Sequence, residues 1–314
     1  MSEPESLSAA DLAAAGLDLL TRGNLAVAQG LARRALAAGK DEAQAWRLAT
    51  EVARAAGAIE DARQAAARWY ALEGGPGEAE AVLAALSERP PPAGYAGLTP
   101  VPFILIDDFL PPDRKAIVVD WLMEHVADLA EASVVQADGE RRLDADSRSA
   151  RVGFEPPEIK PWFQAMIEAL VPRAFDAFGI ERFQPDHYEL HVTASYHGDF
   201  YNAHRDYVPE HDNQVQTRRI TYVYYFRPPG GAFEEGHLRL YDWQGEDGAA
   251  TRTRFTTILP QDNRLILFPS HALHEIRRVK APSGRVEDGR FTLNGWVHKA
   301  KAVKAAAAAT AGEN

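Results

Sequence analysis

The sequence predicts an α+β protein with a helical N-terminal region followed by a β-rich domain. Residues 9–88 are rich in Ala, Leu, Arg and Glu, contain no proline before Pro76, and repeat their apolar residues at helical spacing. From Tyr188 onward the chain consists of short segments rich in Val, Ile, Thr, Tyr and Phe, separated by Gly, Pro, Asp and Asn. Many short strands without intervening helices indicate an antiparallel sandwich or jelly roll.

The helical region contains an internal repeat. The segments "RGNLAVAQGLARRAL" and "AGAIEDARQAAARWY" align Gly23 with Gly57 and Ala28 with Ala62, and both pairs are 34 residues apart because 57 − 23 equals 62 − 28. This period resembles that of tetratricopeptide repeats, with glycine at the turn and alanine where two helices approach closely. Two unrelated Ala-rich hairpins would give a similar pattern, and only two units are visible where such arrays usually have about three or more.

The composition shifts define the predicted boundaries. The Pro/Gly-rich segment 90–100 cannot continue a helix and separates a tetratricopeptide-like region, 1–89, from the β-rich domain, 101–299. Residues 300–314 form an Ala-rich tail that we expect to be disordered. Within the second domain, "VPFILIDDFL" predicts a strand. The remaining predictions there are two helices and one polar mobile loop, over residues 112–130, 158–179 and 133–151, respectively.

Charge and composition narrow the class of function. The 314-residue chain has a formal net charge of −11, which disfavours nucleic acid as a partner. The basic groups in "TRRIT" and "EIRRVK" are interpreted as solvated strand faces paired with carboxylates. Cysteine is absent, so any metal must be held by histidine and carboxylate. The acidic N-terminal segment is not a signal peptide and no apolar run is long enough to span a membrane, so we expect a cytoplasmic protein.

The stretch "DFYNAHRDYVPEH" raises the possibility of a metal site. His204 and Asp206 are two positions apart, and side chains at i and i+2 of a strand share a face. A bare His-x-Asp pair is common by chance, so a third ligand is required. His274, in "LILFPSHALHEIRRV", follows an apolar strand and completes a set of two histidines and one carboxylate, which leaves open positions on iron(II).

An ordered series of motifs places these residues in a family context. Tyr196 and Gly198 precede "HRD", and the chain continues with "ITYVYYF", "GHLRLY", "LFPSHALHEI" and "DGRFTLNGWVH". In this order the motifs of residues 101–299 resemble the iron(II)- and 2-oxoglutarate-dependent dioxygenases, specifically the prolyl-4-hydroxylase-like branch. One departure is His237, which stands where the family has the second glycine of a Gly-Gly-x-Leu strand.

The resemblance implies a double-stranded β-helix with flanking helices, and it implies Fe(II), 2-oxoglutarate and O2 as cofactor and cosubstrates, with ascorbate as an optional addition. It implies hydroxylation coupled to release of succinate and CO2. The planar guanidinium of Arg290 would grip the distal carboxylate of 2-oxoglutarate in a bidentate contact. The resemblance implies His204, Asp206 and His274 as the iron ligands, and it implies that Tyr196 and Tyr225 donate their hydroxyls to the cosubstrate. Thr292 is two positions from Arg290 on the same strand face and could support the contact of Arg290 with the carboxylate.

Several of these residues have plainer interpretations. Arg290 could pair with Asp288 or Glu287 on a hairpin, and strand tyrosines are usually core residues. His271 lies close to His274 in "HALH", but we interpret it as a surface residue because residues three apart on a strand point to opposite sides. The remaining histidines near the site are interpreted as ordinary loop or strand residues: His191, His197, His211 and His237.

Three functions are compatible with the sequence. The first is hydroxylation of a protein or peptide side chain, proline first, with the helical repeats recruiting the substrate. The second is hydroxylation of a free amino acid or small metabolite, with the helices serving only for packing or for a homodimer. The third is a metal-binding jelly-roll sensor without turnover. The segments 133–151 and 207–218 flank the predicted entrance but contain no motif that identifies a substrate. Because every proposed ligand follows residue 195, a protein beginning near Pro90, if soluble, should keep slow, uncoupled succinate formation but lose most hydroxylation of a protein substrate.

Overall fold

The computed structural model describes residues 7–135, 141–207, 217–245 and 248–300, and it has an α+β architecture with antiparallel sheets. The helices are α1 Ala9–Thr21, α2 Leu25–Ala38, α3 Ala43–Ala56, α4 Ile59–Glu73, α5 Glu78–Leu86, α6 Pro112–His125 and α7 Lys160–Phe178. The strands are β1 Ile104–Ile106, β2 Ala130–Glu131, β3 Val134–Val135, β4 Arg141–Arg142, β5 Arg148–Ser149, β6 Arg151–Phe154, β7 Pro185–Ser195, β8 Phe200–His204, β9 Arg218–Phe226, β10 Glu234–Glu235, β11 Leu238–Trp243, β12 Ala250–Ile258, β13 Arg264–Pro269, β14 His274–Ile276, β15 Val279–Lys280 and β16 Arg290–Lys299.

The first five helices show the periodicity found in the sequence. Helices α1 and α3 begin 34 residues apart (43 − 9), and so do α2 and α4 (59 − 25). Gly23 and Gly57, which follow α1 and α3, both have φ of +78°, a left-handed conformation that glycine adopts without strain. Ala28 and Ala62 are fully buried where the paired helices approach. The structure therefore contains two similar helix pairs, while the likeness to tetratricopeptide repeats stays a prediction.

The described chain after α5 contains two large antiparallel sheets, two small two-stranded sheets, β10-β15 and β3-β4, and the helices α6 and α7. Of the two large sheets, one has seven strands in the order β1-β13-β9-β16-β7-β6-β2, and the other has five in the order β12-β11-β14-β8-β5. Each strand-like segment named from the sequence is a strand, because its branched and aromatic residues pack on a half-buried sheet. The predicted mobile loop over 133–151 is wrong for its described part. There β5 pairs with β8 and β6 pairs with β7, and residues 136–140 lie outside the described residues.

The two faces of the seven-stranded sheet pack against different elements and belong to different hydrophobic cores. On one face Tyr222 and Tyr224 pack with Phe163 of α7 in a large apolar core. On the other face, the residues of β9 and β13 join a second core that includes Trp69 of α4 and Leu240 of β11. The helical region therefore shares a core with the sheets. Within the part of the chain that the structure describes, no helix combines the length and apolar character needed to cross a membrane.

Candidate active site

The three proposed iron ligands converge where strand β8 meets β14. His204 ends β8, His274 begins β14, and the two residues are directly paired in the antiparallel register. Asp206 is two residues beyond β8, where its backbone N–H donates to the carbonyl oxygen of Ser270 at 2.9 Å. Strand pairing thus joins two short segments about 70 residues apart in the chain (274 − 204), so that three ligands face one point.

The donor atoms are spaced as a shared cation requires. Nε2 of His204 lies 3.5 Å from Oδ1 of Asp206, and Nε2 of His274 lies 3.5 Å from Oδ2 of the same carboxylate. The Nδ1 atoms of the two rings contact the carbonyl oxygens of Asn202 and Ala272 at 2.8 Å and 2.9 Å. These contacts favour the tautomer with the proton on Nδ1, so that both Nε2 lone pairs point to the centre of the triad.

Burial and charge keep the ligands in the protonation states that bind metal. Burial alone would raise the pKa of Asp206, but His274 and His204 lower it below its usual value. Burial, with His204 nearby, lowers the pKa of His274 to about 4, so this ring is neutral at pH 7. Thr221 Oγ1 donates to Asp206 Oδ2 at 2.9 Å and fixes the carboxylate. The donor set fits a divalent metal with further coordination positions open.

Arg290 lies in the same cavity as the triad, at the start of β16. Its side chain is buried, and its Nε donates to the carbonyl oxygen of Gly236 at 2.8 Å. Gly236 has φ of +64°, and a Cβ there would lie 2.8 Å from Arg290 Cδ, so glycine is needed for this approach. The departure at His237 therefore leaves this close contact intact. The hairpin carboxylates Glu287 and Asp288 pair with Arg285, not with Arg290.

The environment of Arg290 fits a dicarboxylate cosubstrate. Its Nη2 and the hydroxyl of Tyr225 are buried and make no hydrogen bond of good geometry to the described residues. The two side chains interact with each other, and the guanidinium carbon lies 5.0 Å from the Tyr225 ring centroid. Burial raises the pKa of the Tyr225 phenol, so it is a hydrogen-bond donor at neutral pH. Thr292 lines the same cavity two residues along β16. Two buried donors without a hydrogen bond of good geometry would be satisfied by one carboxylate group.

The structure bears on two sequence interpretations of single residues. Tyr196, like Tyr225, is not among the residues that line the cavity, so its contact with the cosubstrate stays a prediction. Tyr196 directly follows β7, and because side chains alternate along a strand it faces the same side as Ala194. Its ring packs edge-on against Phe291 in the core that contains Phe163 of α7. His271 is buried, not on the surface, because its turn folds under the 205–207 segment and its ring stacks on Trp243 with centroids 4.7 Å apart.

Sequence reasoning missed a wall of the cavity opposite the triad. Arg218 stacks on the Trp296 ring with its guanidinium carbon 3.5 Å from the centroid, and its Nη2 donates to Glu189 at 2.9 Å. His191 lies beside them, with its Nε2 atom 3.4 Å from Glu189. Burial alone would raise the pKa of Glu189, but His191, His298 and Arg218 lower it, so it remains a carboxylate. The sequence signal for this wall was the basic motif "TRRIT", which contains Arg218. From the sequence alone, we interpret its arginines as solvated residues on a strand face.

A cavity of about 360 Å³ connects these groups. Both sheets contribute to its lining, with the triad on one side and Arg290, Trp296 and Arg218 on the other. Tyr201 stacks on the His204 ring with centroids 3.5 Å apart and closes the side nearest the triad. The cavity thus combines a metal-binding set, a cationic carboxylate site and an aromatic wall in one space.

Residues 190–298 match the family described as the 2OG-Fe(II) oxygenase superfamily. The chain contains a 2OG-Fe(II) oxygenase domain. The three proposed ligands and Arg290 all lie within the matched residues of this oxygenase domain. The family uses Fe(II), 2-oxoglutarate and O2, which agrees with the donor set of the triad and with the buried donors around Arg290.

Two relatives and two solved structures are similar to the chain. A PKHD-type hydroxylase of Synechocystis sp., described as uncharacterized, is 29% identical over 195 residues, which are 62% of this chain and 62% of that protein. A prolyl 3,4-dihydroxylase of Ostreococcus tauri is 31% identical over 94 residues, 28% of this chain and 17% of that protein. A Pseudomonas putida prolyl-4-hydroxylase has a TM-score of 0.46 at 20% identity, covering 63% of this chain and 94% of its own. A Trichoplax adhaerens prolyl hydroxylase has a TM-score of 0.45 at 18% identity, covering 63% and 83%.

Replacing Arg290 tests its predicted contact with 2-oxoglutarate. We expect Arg290→Ala to raise the KM for 2-oxoglutarate by roughly 10- to 100-fold, because a hydrogen bond to a charged group contributes about 1.5–3 kcal/mol. Iron binding should change little, since Arg290 contacts no proposed ligand. The measurement is succinate formation against 2-oxoglutarate concentration. Arg285→Ala, which removes the exposed arginine of the neighbouring hairpin, is the control; a similar KM for both variants would contradict the assignment.

Proposed function

We propose that this protein is an Fe(II)- and 2-oxoglutarate-dependent dioxygenase that hydroxylates a side chain of a protein or peptide, proline first, and releases succinate and CO2. The observation that carries the proposal is that the triad His204, Asp206 and His274 opens onto the same cavity as Arg290. A metal site alone would serve a sensor equally well. A buried arginine opposite that site, with a donor that makes no hydrogen bond of good geometry, is explained by a dicarboxylate cosubstrate.

Each part of the cavity has a role in this reaction. His204, Asp206 and His274 would hold iron, and Arg290 with Thr292 would hold the distal carboxylate of 2-oxoglutarate. Tyr225 would donate its hydroxyl to that carboxylate as well. Bound iron and 2-oxoglutarate supply oxidative decarboxylation of the keto acid, with one oxygen atom of O2 entering the substrate C–H bond. The buried walls around the triad exclude water from this chemistry.

The remaining wall is suited to a small saturated ring. Trp296 lines the cavity with a flat aromatic ring, and Arg218 covers one face of that ring at 3.5 Å. A pyrrolidine ring has no charge and is flat enough to lie against such a surface, where burial of its methylene groups is favourable. Proline as the target is further supported by the printed name of the Ostreococcus relative.

The finer fold assignments belong to the same proposal. Two antiparallel sheets with a cavity between them support a double-stranded β-helix over residues 101–299. The two helix pairs offset by 34 residues support a tetratricopeptide-like region over residues 1–89. Stacked helix pairs present a surface that suits a polypeptide partner, which agrees with a protein substrate.

Trp296→Ala separates the substrate wall from the iron chemistry. We expect peptide hydroxylation to fall by about 30-fold or more, the size of a binding hot spot, while iron binding and slow uncoupled succinate formation persist. Mass spectrometry of a proline-containing peptide, read for one added oxygen atom, and succinate release are measured together. Trp162→Ala, which removes a tryptophan outside the cavity, should retain hydroxylation. Hydroxylation of free proline but of no peptide would replace the proposal with a metabolite hydroxylase, and no succinate release under any condition would favour a sensor.

A further inference from the structure

Arginines are concentrated at the mouth of the cavity. Apart from the triad and Arg290, the described charged residues that line it are Arg148, Arg205 and Arg218, against the single carboxylate Glu131. This local excess of positive charge occurs in a chain whose net charge is −11. A cleft lined by one sign of charge concentrates ligands of the opposite sign. The lining therefore favours an anionic partner that the rest of the surface would repel.

The two outer arginines are held in place on different elements. Arg148, on β5, has its guanidinium carbon 4.8 Å from the Tyr201 ring centroid and donates to the carbonyl oxygen of Ser133 at 3.4 Å. Arg205, just beyond β8, donates to the carbonyl oxygen of His271. Fixed guanidinium groups lose less side-chain entropy when they bind a carboxylate than free ones do. Both groups are therefore prepared to bind rather than simply solvated.

The separation of these two arginines selects the kind of anion. Arg148 is paired with Tyr201 in the strand register, and Arg205 is four residues beyond Tyr201, which is about 13 Å of extended chain. One phosphate or one carboxylate is small against that separation. An extended peptide covers it with about four residues. Two acidic side chains on either side of a central residue would reach both arginines while that residue enters the cavity.

We propose that the substrate is an acidic polypeptide segment whose carboxylates flank the hydroxylated residue and bind Arg148 and Arg205. This inference rests on the proposed function, because it takes the occupant of the cavity to be a peptide. Arg218 lies deeper, against Trp296 and Glu189, and belongs to the wall that contacts the target side chain. Acidic flanks would thus determine affinity, and the wall would determine which side chain is accepted.

The test compares peptide binding in the absence of turnover. Anaerobic protein loaded with Fe(II) and 2-oxoglutarate is titrated into a fluorescent proline-centred peptide with aspartate two residues to either side, and into the same peptide with asparagine. We expect about fivefold tighter binding of the acidic peptide, as for two screened charge pairs, and a loss of that preference when salt rises from about 50 to about 300 mM. Arg148→Gln and Arg205→Gln should each reduce the preference.

A matched control variant is available on the neighbouring surface. Arg278 also lies over an aromatic ring, Phe200 at 4.0 Å, and donates to a backbone carbonyl oxygen, but it does not line the cavity. Arg278→Gln should keep the full acidic preference. Iron content is measured for each variant, since Arg205 adjoins two proposed ligands, and Arg148→Gln provides the test that is independent of them.

The outcomes separate this inference from the proposed function. Equal affinity for the two peptides, or an equal loss of preference in Arg278→Gln, overturns the acidic-substrate inference. Displacement of the acidic peptide by inorganic phosphate at comparable affinity overturns it too, because the site would then bind a small anion. Hydroxylation of both peptides in air is measured separately. Hydroxylation without acidic preference overturns the acidic-substrate inference and leaves the proposed function intact. Acidic preference without hydroxylation overturns the proposed function, and with it the assignment of the bound peptide as a substrate.

Discussion

Asp206→Ala is expected to weaken Fe(II) binding by at least about 100-fold and to abolish succinate formation. Loss of a metal ligand should cost more than loss of the outer-shell partners of a ligand, which typically costs 10- to 100-fold. Asp206 is also the carboxylate to which both histidine Nε2 atoms are closest. Its removal leaves His204 and His274 with no anionic partner at the centre of the site.

Two measurements check this prediction. The first is the iron content of anaerobically loaded protein, and the second is the visible charge-transfer band expected when 2-oxoglutarate chelates iron(II) through its open positions. His274→Ala should behave in the same way. Asp120→Ala, which removes an exposed aspartate of α6, is the control and should retain both signals. If Asp206→Ala and His274→Ala keep the band and full succinate formation, the ligand assignment is wrong.

The proposed ligands could be selected from the sequence because their chemistry depends on residue type and short spacing. A His-x-Asp pair and a distal histidine after an apolar strand are visible without knowledge of the strand order. Arg290 required the ordered motifs, since a single arginine on a hairpin has no distinctive local pattern. The structure then shows why its burial is tolerated: Gly236 provides both the space and the carbonyl acceptor.

The cavity wall formed by Arg218 and Trp296 could not be predicted because it depends on register between strands. Arg218, on β9, meets Glu189, on β7, although the two strands are separated by β16 in the sheet. An irregularity in the β16–β9 pairing pairs His298 with Arg218, after Val297 with Ile220. A shift of one residue in the pairing moves a side chain from one face of the sheet to the other. The bulge therefore decides whether Arg218 is solvated or lines the cavity, and the sequence contains no recognisable signal for that bulge.

The same reasoning applies to the two tyrosines that the sequence predicts near the cosubstrate, Tyr196 and Tyr225. The alternation of side chains along β7 directs Ser195 into the cavity and the side chain of Tyr196 toward the core that contains Phe163 of α7. Tyr225 differs because its strand presents Thr221, Val223 and Tyr225 to the inner side. Position along a strand, and not proximity in sequence to a proposed ligand, therefore decides which face of the sheet each tyrosine occupies.

Contacts between the helices and the sheets could not be predicted from the sequence either. They change the expectation that a protein without residues 1–89 would still form succinate. Arg54 of α3 is fully buried, and it donates to Asp242 of β11, to Glu51 at 2.7 Å and to Thr256 of β12 at 3.2 Å. Arg254 joins the cluster through Glu51 at 3.2 Å. A protein beginning near Pro90 would lose Arg54 and Glu51 and expose the apolar core shared with α4. We therefore expect this truncated protein to be insoluble, instead of forming succinate slowly without hydroxylation as the sequence suggested.

Arg54→Ala tests this structural role, and we expect it to reduce stability strongly. We expect the free energy of unfolding to fall by about 3 kcal/mol, because the fully buried Asp242 loses its closest cation and keeps only the pair with Arg254, whose Nε lies 3.2 Å from Asp242 Oδ2. The measurement is chemical denaturation monitored by circular dichroism. Arg34→Ala, on the exposed face of α2, should change stability by less than about 0.5 kcal/mol.

A double variant separates the buried charge from the contact itself. Arg54→Met combined with Asp242→Leu removes both charges and keeps apolar volume, and such replacements of buried ion pairs are often neutral or stabilising. We expect it to recover much of the stability lost in Arg54→Ala. Because Leu240, two residues from Asp242, pairs directly with His274, iron content is measured in parallel. A stable Arg54→Ala protein, or an active and soluble protein beginning near Pro90, would show that the helices are dispensable for the sheet that holds His274.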